Sequence, residues 1–264
     1  MARALIYLDE NLASSIALRY LDYLSSVVEL EPFILHVVEP DGKEQAGVGW
    51  VRRTWEAGMI ESGKATISRL LKTEKVKCSF AGPPKIKIGD RDREVVRELK
   101  TTMYDLYIEG YLPTSKSEEF YDLIKSDRYT KSPCSIMCVK NLSLSKTVGV
   151  LVGDGVDPEM VASTLKNLLS GSSMDIELIH YSYQESDNLA FLEKEQAGSL
   201  LVDAEKIFQD YSLPLLRTHV VAGTPESVGD FLINYAFVAC SFLARKSLIT
   251  EILGLTPVSI LLCK

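Results

Sequence analysis

The chain has 264 residues, 46% apolar and 25% charged, with a formal net charge of −7. That length can hold one large core or two ordinary ones, and an acidic chain without a basic, aromatic-studded stripe is a poor nucleic-acid binder. No apolar run nears the ~20 residues that cross a bilayer, and the opening MARALIYLDE lacks a cleavage-site pattern, so the expected setting is cytoplasmic, without a membrane partner.

The first segment, ALIYLDENLASSIALRYLDYL from residue 4, reads as a short strand ending at Asp9, a polar turn and a helix. About 27 residues after Asp9 a second strand, PFILHVVEP, carries His36 near its end. The stretch WEAGMIESGKATISRLLKTEK has helical periodicity. Before it, residues 41–58 form a charged insertion, read as a surface loop whose tryptophans, Trp50 and Trp55, fold onto the body around Arg52 and Arg53. KCSFAGPP is expected to be the third strand, and KIKIGDRDREVVREL from residue 85 a solvated loop and helix face. The fourth strand is DLYIEG, ending at Gly110, and the fifth is PCSIMCVK, 133–140.

The order then starts again. TVGVLVGDGVDPEMVASTLKNLL from residue 147 gives a strand, Asp154 and a helix for which Asp157-Pro158 supplies cap and first turn. DIELIHYSY carries His180; AFLEKEQAGSLLVDAEKIFQDY reads as a helix; RTHVVAGTP, ESVGDFLINYA and FVACSF give strand, helix and strand. The chain closes on PVSILLCK, 257–264, which shares P-x-S-I-x-x-x-K with 133–140. Strands alternating with helices, twice, predict an α/β fold of two tandem doubly wound domains, 1–140 and 147–264. Each would be a five-stranded parallel sheet with helices on both faces. The two final strands, apolar on both alternations, would be hazardous as open edges, so they are expected to pair with each other inside the chain.

Charge is unevenly shared: residues 1–140 hold 21 of 29 basic and 21 of 36 acidic residues, leaving 8 and 15 for the rest. The five cysteines lie in apolar runs without metal spacing and read as reduced core residues. No metal site is expected.

The strand-Asp opening, LHVVEP, A-G-x-P after the third strand, DLYIEG and the closing P-x-S-I strand resemble, in their repeated order, the universal stress protein family. The resemblance covers both halves and implies a fold of the adenine nucleotide alpha hydrolase type, with pairing through the last strand between domains or, in a homodimer, between chains. By resemblance Asp9, Val37 and Gly110 in the first half, and Asp154 and Tyr181 in the second, match the family's nucleotide pocket. The ATP-binding branch carries G-x-x-G, nine residues, then G-[ST] between strands four and five. Here Gly110 is followed by YLPTSKSEEFYDLIKSDRYTKS, without a glycine, and the second half offers only Gly254 between Cys240 and Pro257. The phosphate cradle is missing from both copies. Asp9 and Asp154 read more simply as turn caps, and His36 and His180, without a nucleophile or acid at motif spacing, as hydrogen-bonded structural residues.

The expectation is a non-catalytic stress-response regulatory or interaction protein without tight ATP binding and with an unidentified protein partner. No cofactor is expected; the alternative is a sensor binding AMP or ATP through Asp9, Val37 and Gly110. No nucleophile, base and orienter triplet supports an enzyme.

Overall fold

A computed structural model describes residues 1–40, 49–112, 117–186 and 188–264. Strand β1 (Ala2–Tyr7) leads into α1 (Leu12–Val27), β2 (Leu30–Val38), α2 (Trp50–Glu74), β3 (Lys85–Ile88), α3 (Arg91–Thr101), β4 (Leu106–Gly110), α4 (Ser117–Lys125), α5 (Asp127–Thr130) and β5 (Ser135–Val139). The second half runs β6 (Thr147–Val152), α6 (Pro158–Leu168), β7 (Asp175–Tyr183), β8 (Ala190–Leu192), α7 (Gly198–Asp210), β9 (Leu215–Gly223), α8 (Pro225–Phe231), β10 (Phe237–Ser241), α9 (Leu248–Leu255) and β11 (Ile260–Cys263).

All the strands join one eleven-stranded sheet in the order β3-β2-β1-β4-β5-β11-β10-β6-β7-β9-β8. The two five-stranded sheets were expected to be joined through their final strands; the strand count needs correcting, since β8 adds a sixth strand to the second half. The join lies at the seam. Strands β5 and β11 are buried along their whole length, and they pair antiparallel with Met137 opposite Leu261. Their otherwise open edges are thereby satisfied. The other pairings within each half are parallel, except β8, which lies antiparallel on β9. One core covers each face of the sheet, and each runs through both halves. Helices α1, α2, α6 and α7 cover one face, and α3, α4, α5, α8 and α9 the other.

Three local readings need correcting. The third strand is Lys85–Ile88 rather than KCSFAGPP: its four residues are all half-buried, the two lysines pair with Glu98 of α3, and the strand pairs with Leu35–Val38 at the sheet edge. AFL at 190–192 is an edge strand rather than helix; Gly198 opens the helix that follows. Trp50 begins α2 and is 73% exposed, so it does not fold onto the body. Residues 41–48 of that insertion lie outside the described residues.

The shared octapeptide explains itself at the seam. Ser135 Oγ accepts from Lys264 N at 3.1 Å, and Ser259 Oγ accepts from Lys140 N at 3.2 Å. Lys140 Nζ donates to the carbonyls of Leu253, Gly254 and Thr256, where α9 ends ahead of Pro257. Lys264 Nζ donates reciprocally to the carbonyls of Tyr129 and Ser132, ahead of Pro133. Each half's last lysine therefore satisfies orphan carbonyls of the other half. Four of the five cysteines are buried and all are free thiols.

Candidate functional site

In an open α/β sheet ligands meet the carboxyl ends of the strands where the strand order reverses. In the first half this point lies between β1 and β4. A cleft of about 700 Å³ opens there, lined by Asn11, Ala13, Gly110, Arg91, Glu109 and Arg128 among others. The N-terminus of α1 comes very close to β4: a Cβ on Gly110 would meet Ala13 O at 2.0 Å, so only glycine fits.

Asp9 does not face this opening with free acceptors. Its Oδ1 accepts from Ser14 Oγ at 2.7 Å and from Asn11 N at 2.9 Å, and its Oδ2 from Asn11 Nδ2 at 2.9 Å. Its own amide donates to Ser14 Oγ. The carboxylate is engaged in holding the turn into α1, and it reaches the cleft only through Asn11. Val37 is buried in the core on the α3 face. Of the first-half residues matched by resemblance, Gly110 alone lines the cleft.

The cleft's floor is a charge cluster that no local spacing reveals. Glu109 is 1% exposed, and its Oε2 accepts from Arg91 Nη2 at 2.8 Å, Arg128 Nε at 3.0 Å and Tyr107 OH at 2.9 Å. Arg128 also pairs with Asp92. The Arg91 guanidinium lies 3.9 Å from the centroid of Tyr7, a tyrosine that burial pushes up to about 12 and keeps neutral. Two arginines thus stand at the switch point with their charge already balanced by two carboxylates. The one sequence signal was Glu109 itself, a carboxylate inside an otherwise apolar strand; its arginines come from α3 and α5, 18 and 19 residues away.

The second half fills the corresponding place differently. Asp157 caps α6 as expected, accepting from Glu159 N and Met160 N, while its own amide donates to Ser241 Oγ at the end of β10. Arg245 lies against Gly155, where a Cβ would come within 2.3 Å of its Nη2. Ser247 and Thr250 close a capping box on α9, so the amides of Ser247 and Thr250 are satisfied within the helix. Asp154 is exposed. Tyr181 OH donates to Gly223 O at 3.1 Å, one strand away from Asp154's.

His36 is buried, and its Nδ1 lies 2.7 Å from Leu8 O. His180 is buried as well, and burial lowers its pKa. His219, which carried no sequence signal, contacts Glu177 at 3.1 Å; Glu177 also accepts from Tyr235 OH at 2.8 Å and pairs with Arg217. Among the described residues no group of His, Cys, Asp and Glu is arranged to hold a metal ion, and no helix is long and apolar enough to cross a membrane.

No family model and no curated protein matches the sequence. Solved structures do match. A universal stress protein from Archaeoglobus fulgidus DSM 4304 superimposes with a TM-score of 0.62 at 17% identity, over 100% of this chain and 96% of that one. The fold is the one seen in universal stress proteins. A functionally unknown protein from Pseudomonas aeruginosa PAO1 gives 0.58 at 11% identity, over 100% and 92%. A structure from P. aeruginosa UCBPP-PA14 with the universal stress designation gives 0.57 at 12%, over 100% and 93%. At such identities the likeness speaks for the fold, and function has to be argued from the site.

Proposed function

We propose that this chain is a non-catalytic regulatory or interaction protein of the universal stress type, cytoplasmic, and built from two copies of one unit, residues 1–140 and 147–264. In this reading it does not hold ATP tightly. The observation that carries the reading is the Glu109 cluster. A triphosphate needs backbone amides and uncommitted positive charge, whereas the arginines at this cleft already serve Glu109 and Asp92. The second half supports it as well, because α9 caps itself where a phosphate loop would have to begin. Labelled ATP at equilibrium with the full chain tests the reading, and saturable binding at micromolar concentration would overturn it.

A second reading has one observation in its favour: the cleft beside Asn11 and Gly110 is open and lies at the switch point. In that reading the first half senses AMP or ATP in a degenerate pocket that includes Asp9 and Val37. Nucleotide affinity that survives Asp9→Ala unchanged would dispose of it.

A further inference from the structure

We infer that a cavity beside the seam is a docking site for a short extended peptide from a partner protein. It measures about 460 Å³ and is lined from both halves, by Tyr104, Asp105 and Ser135 on one side and Ser163, Thr164 and Asn167 on the other. The inference deepens the reading of an interaction protein, and rests on it only for the existence of a partner.

The chain contains its own template for the occupant. The halves repeat the same strand order, and their last strands exchange reciprocal hydrogen bonds. Helix α1 buries Ala17, Leu18, Leu21 and Leu24, and α6 buries Val161, Ala162, Leu165 and Leu168 at the same spacing, so Tyr23 corresponds to Asn167. Tyr235 precedes β10 as Tyr104 precedes β4, and Ser259 matches Ser135 within the shared octapeptide.

The connector 141–146, NLSLSK, runs along the groove that corresponds to the cavity; Ser145 and Lys146 correspond to Met1 and Ala2, which line the cavity, so the stretch left open corresponds to residues 141–144. Three groups hold it: Ser259 Oγ donates to Asn141 O at 3.4 Å, Tyr235 O accepts from Ser143 Oγ at 2.8 Å, and Tyr23 OH donates to Ser145 O at 3.0 Å. The counterparts of all three (Ser135, Tyr104 and Asn167) line the cavity. Ser135 is 4% exposed; its oxygen accepts from Lys264 N, and its proton has no acceptor among the described residues, whereas that of Ser259 goes to Asn141 O. A buried hydroxyl with a donor to spare favours a carbonyl in the cavity. Asn167, in the place of Tyr23, can donate and accept, which suits an extended backbone. Asp105, in the place of Ala236, accepts from Arg3 N at 2.8 Å and shares the lining with Lys264 and Met1, so the cavity selects for backbone hydrogen bonding and not for one sign of charge.

The test is titration of the full chain with the synthetic peptide NLSL, followed by amide NMR shifts and by fluorescence of a labelled peptide. Saturable binding is expected, with shifts at Ser135, Ser163 and Asn167. Asn167→Trp, at an exposed helix position that tolerates the change, should weaken binding at least about tenfold by filling the cavity. Lack of binding to millimolar peptide would overturn the inference, as would unchanged affinity in Asn167→Trp. Shifts confined to Tyr23 and Tyr235, which would mean displacement of the connector, would also overturn it. So would saturation of these residues by adenosine with no response to the peptide, which would assign the cavity to a small polar molecule. None of these outcomes bears on ATP at the switch-point cleft, so the two readings fail separately.

Discussion

Lys140 Nζ donates to Thr256 O at 2.9 Å, tying the last strand of the first half to the chain that enters the last strand of the second. Lys140 is 3% exposed, and the same ammonium also serves Leu253 O and Gly254 O. Lys140→Met should therefore keep the volume but strand those carbonyls, and cost about 2–3 kcal/mol in urea unfolding. Lys264→Met should cost less, because Lys264 is only partly buried and serves two carbonyls. Equal effects, or none at Lys140, would show that the seam is held by its strand ladder alone.

The same lysine predicts a pH dependence. Burial pulls the Lys140 ammonium down from 10.5 to about 8. Between those values the unfolded chain holds a proton that folded Lys140 has lost, so this group adds stability as pH rises through the window. Buried thiols act in the opposite sense: Cys138, pushed up from 9.0 to about 12 by burial, keeps its proton above pH 9 while the unfolded thiol loses it. The quantity to measure is therefore the stability difference between the native chain and Lys140→Met. It should grow between about pH 8 and 10.5, by at most about 3 kcal/mol.

Gly110→Ala should destabilise the fold by about 3 kcal/mol or more, since the added methyl meets backbone at Ala13 rather than a side chain that could yield. A thermal melt decides it, and an unchanged midpoint would mean that α1 moves freely against β4.

Glu109→Gln removes the carboxylate on which Arg91 and Arg128 converge. The Arg91 guanidinium would lose its counter-charge and Arg128 would keep only Asp92, with a cost of about 3–5 kcal/mol. The freed positive charge should raise affinity for inorganic phosphate at the cleft, read by calorimetry as at least about a tenfold gain over the native chain. A variant that binds phosphate no better would show that Glu109 does not govern the cleft's charge.

Repetition and alternation made most of the fold legible. P-x-S-I-x-x-x-K recurring at 133 and 257 marked the two final strands, and their apolar alternation on both faces announced that they would be covered. What periodicity could not convey was the extra edge strand β8 and the two cores, one on each face, that run through both halves, because strand order is a long-range property. Lys85–Ile88 was misread because two lysines in a run of four look solvated, and the Glu98 that pairs with both at the sheet edge comes from α3. The cap at Asp157 followed from the adjacent Pro158. The Glu109 cluster stayed hidden, since its partners are assembled by the sheet from separate helices. Asp9 was visible as a conspicuous acid after a strand, yet only the structure shows its oxygens committed to Asn11 and Ser14.

Equilibrium dialysis of the full chain against radiolabelled ATP with magnesium, at physiological salt, most directly addresses whether the switch-point cleft can grip a nucleotide. The predicted result is no saturable uptake below about 1 mM. A micromolar dissociation constant that AMP competes away and Asp9→Ala abolishes would contradict it.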